Sequence, residues 1–160
     1  MIPLFDEGTP LIVRHGQPDE IKIGDIAVFR CCDRTVAHRI IGRFKEDGRL
    51  YFLEKRDSGF EPGIIPEDAV IGKVIGIKKR ETSLDLEKGI WRLTNTCIGY
   101  YWSFFYTLYQ VIRGVKKKIF NEKKIPLAGK IYTVVSYFLV NAAHFFISLI
   151  NSLSFPRKKP

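Results

Sequence analysis

Along the first half of the chain, apolar positions come in short runs, and several alternate with polar ones. Ile26, Val28 and Arg30 interleave with Ala27 and Phe29. Such period-two patterning, broken every few residues by turn formers, predicts strands rather than helices. The runs Leu11–Arg14, Asp25–Cys31, Thr35–Phe44, Leu50–Lys55 and Ala69–Lys78 read as five strands, with a sixth at Ser83–Leu86. Gly16-Gln17-Pro18-Asp19, Cys32-Asp33-Arg34, Glu46-Asp47-Gly48 and the loop from Gly59 to Pro66 separate them. Pro66-Glu67-Asp68 is suited to opening one turn of helix. Short strands joined by tight turns predict a small antiparallel barrel or sandwich over residues 1–88.

From residue 89 the pattern changes. Leu93–Ile112 and Ile131–Phe155 carry no charged residue over 20 and 25 positions. Both are long enough to cross a bilayer as helices. Neither is cleanly apolar, since Thr94, Asn95, Gln110, Asn141, His144 and Asn151 interrupt them. Residues 89–160 therefore predict two C-terminal α-helices, and three placements are open. A transmembrane hairpin would hold Lys116–Lys118 in the cytoplasm. An interfacial pair would lay aromatic and basic residues in the headgroup zone. A soluble hairpin would pack on the β-domain or on a partner. Two of the three make the protein membrane-associated through residues 90–155.

Charge sharpens this division. The net charge of +9 sits almost wholly in residues 89–160, where Glu122 is the single acid. Residues 1–88 are near neutral. No nucleic-acid motif accompanies the basic residues, so nucleic acid is not an expected partner. Cys31, Cys32 and Cys97 lack zinc-site spacing, and His15, His38 and His144 form no ligand cluster. Neither a metal nor another cofactor is expected. Met1–Val13 contains Asp6 and Glu7 and lacks the apolar core of a secretory signal.

One residue stands out within the strand pattern. His38 lies among Val36, Ala37, Ile40 and Ile41. A strand histidine is ordinarily a half-buried residue whose ring nitrogens find backbone partners. Imidazole is also the side chain best suited to general-base work near neutral pH.

The order of short motifs bears on that choice. Met1-Ile2-Pro3 precedes Glu7-Gly8 and Leu11-Ile12-Val13. Gly24-Asp25-Ile26-Ala27-Val28-Phe29 follows, then Val36-Ala37-His38-Arg39-Ile40-Ile41, Phe52 to Asp57, and Val70-Ile71-Gly72-Lys73-Val74-Ile75. Over Met1 to Leu86 this series resembles the type I signal peptidases, above all members with a histidine in place of the lysine base. Self-cleaving repressor peptidase domains are related to that family. The resemblance implies a serine endopeptidase of signal or leader peptides, with a small β-barrel or sandwich fold and a Ser–His dyad. His38 would be the base and Asp57 the acid that orients it. Arg56 replaces the glycine the family has before that acid, and Glu61 is the nearest match to a further acid. The nucleophile belongs to a Ser-Met-x-Pro motif, of which Met1 and Pro3 are present and would touch substrate. The serine would be the residue before Met1, so the chain as written is expected to be inactive, and an upstream start would supply it. Thr9 and Ser58 do not match the nucleophile's place. A non-catalytic peptide-binding or membrane-anchoring module of the same fold is the alternative.

Overall fold

A computed structural model of the chain describes Leu4, residues 8–57, 61–79 and 82–120, and five helical positions between 137 and 148. Its strands are β1 (Leu11–Arg14), β2 (Ile26–Cys31), β3 (Arg34–Glu46), β4 (Arg49–Lys55), β5 (Gly63–Pro66), β6 (Val70–Lys79) and β7 (Thr82–Asp85). Short 3-10 turns cover Pro18–Glu20 and Glu67–Ala69, and helix α1 spans Gly89–Phe120.

All seven strands join one antiparallel sheet in the order β1-β6-β2-β3-β4-β5, with β7 also on β6. The protein is thus mainly β, but the sheet is open rather than a closed barrel, its path ending at β1 and β5. β5 was expected to be loop, because Gly and Pro bracket only Ile64 and Ile65 there. Its pairing with β4, from Tyr51↔Pro66 to Glu54↔Gly63, supplies what local sequence does not. Pro66 is tolerated because an edge strand need not donate from every residue.

β2 is buried on both faces, which explains why it reads as an apolar run. Ile26 and Val28 enter one cluster with Ile41, Leu53, Val74 and Ile77. Ala27 and Phe29 enter the other with Ile40, Leu50, Phe52 and Ile65. α1 closes the first cluster. Trp91, Ile98 and Trp102 fall on one helical face and bury there, with Thr94 and Asn95 beside them. The second half of the molecule therefore begins by completing the core of the first.

Close backbone approach sets the seating of α1. A Cβ on Gly99 would lie 2.4 Å from both the N and Cα of Gly24. Gly24 itself has φ +96, a conformation that disfavours side chains. The pair lets the helix touch the turn that leads into β2.

α1 also runs past Ile112 through Arg113 and Lys116–Lys118. Lysine and arginine are good helix formers, so loss of apolar character does not end it. Most of the second uncharged run lies outside the described residues. Tyr137, Phe138, Asn141, Phe145 and Ser148 within it have helical backbone.

Candidate functional site

β3 pairs with β2 and β4 over different lengths, and that offset creates the site. β2 covers Arg34–Arg39 of β3, whereas β4 begins at Arg39↔Lys55 and runs toward Glu46. Thus Arg34–His38 has β2 on one side and, among the described residues, no strand on the other. The Ile40 amide donates to the Asp25 carbonyl at 2.8 Å, and the Ile40 carbonyl accepts from Gly24 at 2.7 Å. Strand alternation then turns the amides and carbonyls of Thr35 and Ala37 away from β2, toward the open side. An extended peptide could add there as a strand.

His38 stands at the inner end of this open edge. Its Nδ1 lies 2.6 Å from a carboxylate oxygen of Glu54 on β4, and both side chains are 14% exposed. Phe29 meets the ring edge-on, with centroids 5.5 Å apart. A carboxylate oxygen only accepts, so Nδ1–H donates to Glu54, and in the neutral imidazole Nε2 is then the acceptor. In catalytic triads a carboxylate–imidazole pair serves to orient the base. Among the described residues, no hydroxyl is hydrogen-bonded to His38.

Asp57, the acid expected at His38, sits elsewhere. It is fully buried and forms a two-pronged pair with Arg39, Nε to Oδ1 at 2.9 Å and Nη2 to Oδ2 at 3.0 Å. Arg39 Nη1 also donates to the Gly24 carbonyl and to Asn95 Oδ1 of α1, each at 2.9 Å. His38 and Arg39 are neighbours in a strand, so they face opposite sides of the sheet. The carboxylate on His38 is therefore that of Glu54. Glu54 was missed because register alone brings it near His38. The available signal was an acid inside an otherwise apolar run, Tyr51-Phe52-Leu53-Glu54.

On the Arg39 side, Lys55 is buried with its Nζ 3.6 Å from the centroid of the Trp102 ring and 3.0 Å from the Arg56 carbonyl. Burial pushes its ammonium down to about 8, with the Asp57 carboxylate acting the other way. This cluster joins β3, β4, the turn before β2 and α1. It fixes the chain that carries Asp57 without entering the open edge.

Of the remaining sequence candidates, Met1, Pro3, Ser58 and His144 lie outside the described residues. Glu61 is exposed, and His15 bonds the Ile71 carbonyl through Nδ1 at 3.0 Å. Among the described residues, no group of three His, Cys, Asp or Glu side chains is placed to hold a metal ion. Comparison of the chain with protein-family models, curated proteins and solved structures found no match.

Proposed function

We propose that the chain is a peptide endopeptidase of the signal-peptidase type, which takes an extended leader or signal peptide along the open edge of β3. The observation that carries the proposal is the His38–Glu54 pair at 2.6 Å, at the end of a stretch of β3 whose edge away from β2 has no strand among the described residues. The peptide backbone would bond the Thr35 and Ala37 main chain and stop with its scissile carbonyl near His38.

In this reading Nε2 of His38 takes the proton of a serine hydroxyl as its oxygen bonds the carbonyl carbon. The same proton then goes to the leaving amine as the C–N bond breaks. Water repeats the sequence to free the enzyme. Glu54 holds the ring and stabilises the imidazolium formed at each step. The serine's expected place is immediately before Met1.

The test uses a chain extended upstream with serine at that place, incubated with a leader peptide and followed by mass spectrometry. Cleavage is expected, and His38→Ala should lower it by roughly a hundred- to ten-thousandfold. Unchanged cleavage in that variant would remove His38 from the mechanism. A second reading, peptide binding without chemistry, draws on the open main chain of Thr35 and Ala37 alone. Binding without cleavage in the extended chain would select it. Ala37→Pro serves both readings, since it deletes an amide that β2 does not use and should abolish peptide binding while leaving the sheet intact.

A further inference from the structure

α1 has two apolar faces, and the core uses one. Opposite the buried tryptophans stand Ile90, Leu93, Tyr100, Phe104, Leu108 and Val111, each between 41% and 64% exposed. Cys97 lies in the same line and is exposed. At about 100° per residue these positions fall within an arc of roughly 80°. They form one stripe along the helix. Scattered exposed apolar residues need no explanation, but a continuous stripe marks a contact surface.

Spacing of threes and fours would also suit a coiled coil, and the charges argue against that. α1 carries Arg92, Arg113, Lys116, Lys117 and Lys118 and no Asp or Glu. Coiled-coil partners are chosen by flanking charges of both signs. A second copy of this helix would bring like charge against like charge. A surface that is apolar beneath and anionic above matches both features.

We infer that α1 lies flat on an anionic phospholipid bilayer, with the Ile90–Val111 stripe among the acyl chains and the positive charge of a helix without Asp or Glu drawing it to the anionic surface. Among the described residues no helix is long and apolar enough to cross a membrane. The helix therefore attaches in the plane of the surface, presenting to the lipid the apolar face that the core does not use. Its other face stays on the β-sheet, so the open edge of β3 is carried at the membrane. The inference does not depend on whether that edge is catalytic.

Cys97 reports on the stripe directly. The full chain with Cys31→Ser and Cys32→Ser is labelled at Cys97 with a polarity-sensitive fluorophore. It is then mixed with vesicles of phosphatidylglycerol and phosphatidylcholine, or of phosphatidylcholine alone. A blue shift on the anionic vesicles is expected, with affinity at least roughly tenfold above the neutral ones and falling with salt. A label at Cys31 in the matching background should stay in water. Leu93→Glu with Phe104→Glu, two exposed positions, should lower binding at least tenfold. Binding without a shift at Cys97 would place attachment elsewhere in the chain and overturn the proposal. A shift that appears with rising protein concentration in the absence of vesicles would overturn it in favour of a second copy. Equal binding to both vesicle types would overturn its electrostatic part.

Discussion

His38 and Arg39 are adjacent in the chain and each pairs with a carboxylate, yet the two pairs do different work. His38–Glu54 is a single contact at the rim of the sheet, with both partners partly exposed. Arg39–Asp57 is two-pronged, almost wholly buried, and extended by Gly24 and Asn95. Strand geometry separates them, because successive side chains face opposite sides. The rim pair keeps one ring nitrogen available for chemistry. The buried pair commits all three guanidinium nitrogens of Arg39 to holding elements together. Burial and the number of hydrogen bonds, more than the identity of the charges, distinguish the rim pair from the fastening.

The contrast is broken most severely at Arg39. Arg39→Ala leaves the Asp57 carboxylate buried without its guanidinium, an arrangement that costs about 3–5 kcal/mol. Chemical denaturation should show that loss, while Glu54→Gln shifts the midpoint little. Equal effects at the two sites would erase the distinction. Replacing both partners together, as Arg39→Met with Asp57→Leu, should recover much of the stability, since a matched apolar pair removes the desolvation cost on both sides.

Lys55 sharpens the comparison through pH. Its folded value of about 8 lies below the ordinary 10.5, so the unfolded chain binds more protons between those limits. Stability should therefore rise as pH increases through that window and level off above it. The ceiling is roughly 3 kcal/mol for a displacement of this size. Denaturation midpoints at a series of pH values would measure the rise, and Lys55→Met should flatten it. A rise that persists in Lys55→Met would assign the effect to another group.

Next in size is the glycine contact that seats α1. Gly99→Ala must push the helix away from Gly24, at a cost of about 1–3 kcal/mol. Thermal unfolding would record it. Because Asn95 moves with the helix, the Arg39 side should loosen while the His38–Glu54 pair is spared.

The smallest stability effect is expected at the rim. Glu54→Gln should cost about 1 kcal/mol, because the amide oxygen can still accept from Nδ1–H of His38. In a peptide-cleaving form the same variant should lower kcat by roughly a hundredfold or more, as the imidazolium loses its counter-charge. A large stability loss with unchanged kcat would make Glu54 a second fastening.

The strand runs were legible in the sequence because alternation and turn residues are local signals. Six of the seven strands, the turn after Pro66 and the onset of helix near residue 89 follow from them. Two-sided burial of β2 was not read from the sequence, where Ile26, Val28 and Arg30 interleave with Ala27 and Phe29 in alternation; all four residues from Ile26 to Phe29 are buried. His38 could be singled out from its place in a strand and its motif, and the charge imbalance already set the C-terminal part apart from the first 88 residues. What the sequence could not settle were pairings across distance. β5 exists because β4 offers it an edge. Glu54 reaches His38 because a register shift between Ile40 and Gly42 sets β4 against β3 as it does. Asp57 turns to Arg39 rather than to His38 because the two neighbours face opposite sides of one strand. The face of α1 that is buried was fixed only when Gly24 and Gly99 met. Periodicity is carried by neighbours along the chain, whereas register and facing are settled by which surfaces close the core.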